Sequence, residues 1–262
     1  MSDFGDRMKL YEGLSDHLLM PLVPICARID GRAFHTWTGD LEKPYDDIFR
    51  KIMCNVAKSL IEETNAKIAH TFSDEISLIF IQENFESEIF FGGRHQKLCS
   101  VLASLATGFF AEQIRSVWSQ RAIPAFDCRV WNVPNLDEAS NYLVWREQDA
   151  VRNSIQMAAR SIYSHKECYK KSSSDLQEML FQKGINWNNY PVMHKRGCYL
   201  KRIKVIRAFT PTEIEKLPMK HEARQNPELK IERTEIVSLT PPSITQLEHA
   251  VRLKAFFDSE SM

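Results

Sequence analysis

The chain has 262 residues, with 34 Lys and Arg balanced by 34 Asp and Glu, so its formal net charge is zero. Global electrostatic attraction therefore cannot recruit nucleic acid, and any phosphate-binding surface has to come from local clustering of cations. With 44% apolar and 26% charged residues, the composition is that of an ordinary globular chain, long enough to bury a sizeable core without staples.

In chain order, residues 22–29 form an apolar run ending at Asp30-Gly31, which predicts a strand followed by a turn. From Asp46 onward, Ile48, Ile52, Val56 and Leu60 recur every fourth residue, predicting a helix that ends near Asn65. Residues 67–72 and 76–82 read as two strands, the second apolar on both faces as a central strand would be. The short polar interruption Ser73-Asp74-Glu75 between them is a hairpin turn. A second helix is predicted over 96–118 and a strand over 126–133, closed by Pro134. Asn135, with Glu138 three residues on, starts a third helix that runs to about Tyr163. A shorter helix follows from Ser174 to Gly184, and residues 197–209 read as extended. The proline- and charge-rich stretch 210–229 reads as a linker or peripheral excursion, followed by a strand near 231–239 and a helix near 244–257.

The six cysteines, at 26, 54, 99, 128, 168 and 198, include no CxxC pair. That spacing argues against a zinc ribbon, a redox motif or a disulfide framework, and favours a reducing compartment. The segment Met1-Ser2-Asp3-Phe4-Gly5-Asp6 lacks the blocks of a signal peptide, and no apolar run reaches membrane-spanning length. The expectation is a cytoplasmic protein with no membrane association.

Two carboxylates carry the chemistry. Asp30 ends the first strand and Asp74 sits in the hairpin turn. If the first strand neighbours the hairpin, both emerge at one sheet edge and suit a pair of Mg²⁺ ions about 4 Å apart. Magnesium takes hard oxygen ligands and needs only one or two protein carboxylates beside phosphate and water. Gly31 next to Asp30 has no side chain, so its carbonyl can approach a metal and its backbone a phosphate. The bland alternative is an ordinary turn at each place, since Asp and Gly are common turn residues.

The run Asp30-Gly31-Arg32-Ala33-Phe34-His35, followed by Ser73-Asp74-Glu75, resembles the signature of the tRNA-His guanylyltransferase family. Phe126-Asp127-Cys128-Arg129-Val130 and Asn141-Tyr142-Leu143-Val144-Trp145-Arg146 resemble that family's later motifs in the same order, so the likeness covers roughly residues 20–200. The resemblance implies a polymerase-palm-like catalytic unit working in reverse. The 5′ end of an RNA is activated by ATP or carries a triphosphate, and the 3′-hydroxyl of an incoming nucleotide attacks it. It makes Asp30, the Gly31 carbonyl and Asp74 the ligands of two Mg²⁺ ions. Asp30, Gly31, Arg32, Ala33, Phe34, His35, Ser73 and Asp74 become nucleotide contacts, and Lys43 resembles a triphosphate-contacting lysine. Where eukaryotic members carry His-Ile-Asn-Asn, this chain has Val151-Arg152-Asn153-Ser154. That departure resembles the bacterial or archaeal guanylyltransferase-like branch and points to 5′-end repair of shortened tRNA. The family also implies a homotetramer.

Supporting residues admit two readings each. Arg32 could pair with a phosphate through its planar fork, and Phe34 could pack beneath the loop or against a base. His35 is either a nucleotide contact or a local hydrogen-bonding group. Arg129 either reaches the same sheet edge or pairs with Asp127 or Asp149. Asp149 and Asn153 share a helix face with Arg146, as a site-facing stripe or a solvated one. Lys195, Arg196, Lys201, Arg202, Lys204 and Arg207, with Tyr199 interleaved, form a basic run that is either an RNA-contacting patch or a solvated edge. Trp131, Trp145 and Trp187 read as core.

The expected architecture is α+β, a palm-like (ferredoxin-like) antiparallel sheet with packed helices and a C-terminal extension. Residues 1–134 form the palm-like unit, 135–209 a helical and basic segment completing it, and 210–262 a linker with a terminal strand and helix. The expected activity is Mg²⁺-dependent 3′-to-5′ nucleotide addition to the 5′ end of tRNA, using ATP, GTP or other nucleoside triphosphates. The alternatives are a nucleotide cyclase-type palm enzyme and a non-catalytic RNA-binding protein.

Overall fold

The computed structural model describes residues 3–226, 228–239 and 243–258. In chain order these contain α1 (Asp3–Gly13), β1 (Ile25–Gly31), α2 (Phe34–Trp37), α3 (Asp47–Thr64), β2 (Ile68–Phe72), β3 (Glu75–Phe80), α4 (His95–Arg115), β4 (Phe126–Asn132) and α5 (Leu136–Arg160). They continue with α6 (His165–Cys168), α7 (Ser173–Gln182), α8 (Val192–Arg196), β5 (Cys198–Ala208), α9 (Pro211–Lys216), β6 (Lys230–Leu239) and α10 (His249–Phe257).

The long helices begin and end where their caps dictate. The Asp46 side chain accepts a hydrogen bond from the Phe49 amide at the head of α3, and Asn65 closes the helix in the left-handed region at φ 59°. Asn135 caps α5 by accepting from the Glu138 amide. The stretch 210–229 is more ordered than its prolines and charges suggest. Thr210 and Glu213 form a reciprocal capping box that starts α9, and a 3-10 turn spans Glu222–Arg224. The helix expected near 244–257 is broken into a 3-10 turn at Ile244–Gln246 and then α10. Neither α1 nor the short helices α2, α6 and α8 was foreseen, because pieces this short or this weakly periodic carry little pattern.

Among the described residues, six strands form one antiparallel sheet in the order β4-β1-β3-β2-β5-β6. Side chains alternate across a strand, so odd and even positions serve different layers. Ile25, Ala27 and Ile29 of β1 pack with Ile52, Val56 and Leu60 of α3 and Leu98 and Leu102 of α4. Cys26, on the opposite face, packs with Ala139, Tyr142 and Leu143 of α5. The same parity puts Arg28 and Asp30 on the α5 face. Helices α7 and α8 gather around the C-terminal half of α5, where Ile155, Ala158, Leu176, Leu180 and Trp187 form a separate small core. Trp187 is buried as expected, whereas Trp145 lies 47% exposed on the outer side of α5 beneath the Arg146 guanidinium.

Candidate active site

The α5 face of the sheet should be apolar if it merely covered a helix, yet at its β1–β3–β4 corner it is charged. In register, Asp30 stands between Glu75 of β3 and Asp127 of β4, and Arg28 stands between Ser77 and Arg129. Two register rows of three positions each therefore bring acids and guanidiniums together that are far apart in sequence.

Asp74 reaches the same place through the hairpin. Phe72 and Glu75 are paired, so Ser73 and Asp74 alone make the turn, with Ser73 in the left-handed region at φ 53°. A non-glycine residue held there costs about 1–2 kcal/mol, and such strain tends to collect at functional loops. The Asp74 carbonyl accepts a hydrogen bond from the Gly31 amide at 3.2 Å, tying the turn to the end of β1. Asp30 and Asp74 line one cleft of about 240 Å³, together with Ser73, Glu75, Arg146 and Asp149. The two carboxylates foreseen at one sheet edge do meet.

Electrostatics make this corner receptive to a cation. Burial raises the Asp30 carboxyl above its ordinary pKa, against the pull of Arg28, and Asp127 adds to the rise. Burial likewise raises Asp74, and the charge of Asp30 pushes it further. Both anions thus stand short of positive charge. The nearby guanidiniums are engaged elsewhere: Arg146 donates to Glu75 through Nε at 2.6 Å and through one terminal nitrogen at 2.9 Å, and to Asp149 at 2.8 Å. Arg28 lies 3.3 Å from Glu75. The donor set is two hard carboxylates and the backbone carbonyl of Gly31, which suits a hard divalent cation sharing its remaining positions with phosphate and water. Among the described residues no group of three or more His, Cys, Asp or Glu side chains is preassembled for a metal. The remaining ligands would have to come with the substrate.

The loop after β1 is anchored by its aromatic residue. Phe34 is 2% exposed and packs against Trp37, Phe49, Phe110 and Phe126 at centroid distances of 5.0–6.0 Å. It lies beneath the loop, so the base-stacking alternative falls away. Arg32, Ala33 and His35 are left exposed above it, and Ala33 holds φ 58°. Lys43 is exposed and donates to the Thr38 carbonyl at 2.9 Å.

Other candidate residues fare differently. Arg129 is exposed, 3.9 Å from Asp127, rather than in a buried pair. Asn153 lines the cleft and donates to Asp149 at 3.3 Å. The basic run is not one exposed patch. Lys195 is 9% exposed and donates to the Asn188 carbonyl. Lys201 is 2% exposed and donates to the Ala255 carbonyl. Arg202 caps the carbonyls ending α3, including Ile61. Lys204 pairs with Glu232, and Arg207 pairs with Glu213 and Glu235. Arg196 is half-buried, its carbonyl held by the His70 ring.

A second cavity adjoins the cleft and was not legible in the sequence. It is lined by Tyr45, Phe49, Met53, Met157, Met193 and His194, and shares Phe72, Ser73 and Met157 with the carboxylate cleft. Tyr45 stacks on His194 at 4.9 Å and donates to the Ser154 carbonyl. Its walls come from α3, α5, α8 and the hairpin, so no local pattern announces it.

A family model described as tRNAHis guanylyltransferase matches residues 5–134. A probable tRNA(His) guanylyltransferase of Drosophila melanogaster is 32% identical over 208 residues, spanning 73% of this chain and 71% of the other. The chain belongs to the tRNAHis guanylyltransferase family.

Members of this family are nucleotidyltransferases, and the chain is an enzyme of that class. A solved bacterial tRNA(His) guanylyltransferase-like protein in complex with ATP matches with a TM-score of 0.74 and 37% identity, covering 76% of this chain and 88% of that one. A second, in complex with GTP, matches with a TM-score of 0.73 and 29% identity over 94% and 95% of the two chains. The antiparallel sheet with helices on both faces is thus the palm-like fold of the guanylyltransferase family. Among the described residues no helix is long and apolar enough to cross a membrane.

Proposed function

We propose that this chain adds nucleotides to the 5′ end of tRNA in the 3′-to-5′ direction, with two Mg²⁺ ions held by Asp30, Asp74 and the Gly31 carbonyl. The observation that carries this reading is the convergence of Asp30 and Asp74 on one cleft beside an apolar cavity. The relatives described with ATP and GTP support a nucleoside triphosphate as the ligand.

The chain's own residues divide the work. The apolar cavity excludes water and offers Met and aromatic walls to a base, and Ser73 sits where the cavity joins the carboxylate cleft. Lys43 lines the apolar cavity, and Arg32 and His35 stand exposed on the loop that follows Asp30-Gly31, all three available to the triphosphate. Asp30, Asp74 and the Gly31 carbonyl would hold the Mg²⁺ ions beside the reacting end. Bound Mg²⁺ supplies there a lowered pKa for the attacking 3′-hydroxyl and charge stabilisation for the departing phosphate. The hydroxyl oxygen bonds to the RNA's 5′ phosphorus as the bond to the activating group breaks, and the hydroxyl proton passes to solvent. No side-chain base is required.

A labelled-nucleotide assay comparing full-length tRNA, tRNA lacking its 5′-terminal nucleotide, and no RNA tests the reading. Mg²⁺-dependent label on the 5′-truncated tRNA is expected, reflecting the bacterial-type departure at residues 151–154. Product formed without RNA, as a cyclase would make, or no label on any tRNA, removes the assignment.

A further inference from the structure

Since the basic run 195–207 is largely consumed by internal partners, a neutral chain has to bind RNA with cations found elsewhere. They lie where α5 runs out. Residues 160–171 hold Arg160, Lys166, Lys170 and Lys171 with one acid, Glu167, and His165 between. Glu167 is turned back on its own capping box, accepting from the Ser164 amide and hydroxyl at 2.8 and 2.6 Å. Asp175, the next acid, is held in the same way by Ser172. Arg160, Lys166, Lys170 and Lys171 are all exposed, and none of them makes an ion pair among the described residues. Contrast Lys204 and Arg207, each facing a Glu across the sheet.

These cations are organised into a groove. Arg160, His165, Tyr169, Lys170 and Lys171 line a depression of about 140 Å³ that shares Gln156 and Arg160 with the carboxylate cleft. Tyr169 stands 62% exposed in it, with Lys170 5.4 Å from its ring. Exposed cations outside any ion pair, beside a solvent-facing aromatic ring in a depression that adjoins the carboxylate cleft, suit a single-stranded polyanion with stackable bases. We infer that this groove is the track along which the 5′-terminal strand of the RNA substrate enters the cleft, with Arg160, Lys170 and Lys171 on the phosphates and Tyr169 under a base. The inference rests on the reading of the chain as a 5′-end transferase.

The test is RNA binding and transfer by the charge-reversal variant Lys170→Glu/Lys171→Glu and by Tyr169→Ala. Both sites are exposed, and a carboxylate at 171 beside the start of α7 suits that helix end, so folding is expected to survive and circular dichroism checks it. With 5′-truncated tRNA as probe, the double variant should lose at least about tenfold in affinity at low salt. Its slope of log affinity against log salt should shrink by about 1.5, the signature of two lost phosphate contacts. Tyr169→Ala should weaken binding while keeping the wild-type salt slope, because a stacking contact releases no counterions. Wild-type affinity and slope in the double variant, or a loss seen in ATP binding instead of RNA binding, overturns the groove. If the wild-type protein itself neither binds nor labels tRNA, the transferase reading falls and the groove with it; labelling by the wild type with an unaffected double variant removes the groove alone.

Discussion

Arg146 holds Glu75 with hydrogen bonds of 2.6 and 2.9 Å, and Glu75 is the residue that follows Asp74. The pair joins α5 to the hairpin tip, so the position of Asp74 depends on a helix more than 70 residues downstream. The side chains are only 7% and 16% exposed, so Glu75 depends on Arg146 and Arg28 to remain ionised. Burial alone pushes its carboxyl upward, with Arg146 the main opposing charge. Arg146→Ala leaves a buried anion half-compensated and is expected to cost about 3–5 kcal/mol, read as a lowered urea midpoint. Arg146→Lys keeps the charge but not the paired geometry and should fall between. Equal stability of wild type and Arg146→Ala would show that the pair does not hold the hairpin.

Asp74→Asn should separate stability from activity. The Asp74 carboxyl is raised by burial and by the charge of Asp30, so in metal-free protein its ionised form strains the fold at neutral pH. An uncharged isostere should stabilise the EDTA-treated protein by about 1 kcal/mol, or about 2–4 °C in Tm. The same change should lower single-turnover nucleotide transfer by more than about a hundredfold. Thermal melts in EDTA and a 5′-labelling assay read the two effects, and a variant with full transfer activity would strip Asp74 of its role.

Gly31 is constrained by packing. A Cβ built on it would lie 2.2 Å from the Phe34 ring, itself wedged among Phe110, Phe126 and Trp37. Gly31→Ala is expected to cost about 1–3 kcal/mol through overpacking and to raise the KM for nucleotide by moving the 32–35 loop. Calorimetry and steady-state kinetics check both; an unchanged KM would detach this loop from nucleotide binding.

His70 should make the protein acid-sensitive. It is 2% exposed, its ring nitrogen donates to the Arg196 carbonyl at 2.8 Å, and burial lowers its pKa to about 4 from 6.5. Between those values the unfolded chain takes up a proton that the folded chain refuses. Its contribution to stability is therefore complete above pH 6.5 and is lost as pH falls toward 4, by about 3 kcal/mol in all. His70→Gln preserves a side-chain donor without the titration and should flatten the urea midpoint between pH 6.5 and 4. A slope unchanged by the substitution would assign the acid sensitivity to other groups.

What the sequence alone determined is what neighbouring residues decide. The fourfold apolar spacing and the bounds of α3, the Asn135 cap of α5 and the hairpin turn expected at 73–75 are local, and each came out close to expectation, the turn shortened to Ser73-Asp74 because Glu75 already pairs with Phe72. Strand parity did the same for the site, because once β1 pairs with β3, Asp30 must share a face with Glu75. Other features needed the chain folded. Whether a cation is free for RNA depends on what stands opposite it, and for Lys204 and Arg207 that is a β6 glutamate some 28 residues away. Lys201, Arg202 and Lys195 are claimed by carbonyls from other segments, whereas Lys170 and Lys171 sit on a turn whose acids are occupied as caps. The apolar cavity and the Arg146–Glu75 pair likewise join distant segments. Pairing of charge is a matter of distance in space, and distance in space between far residues is set by sheet register and helix packing rather than by any local run of residues.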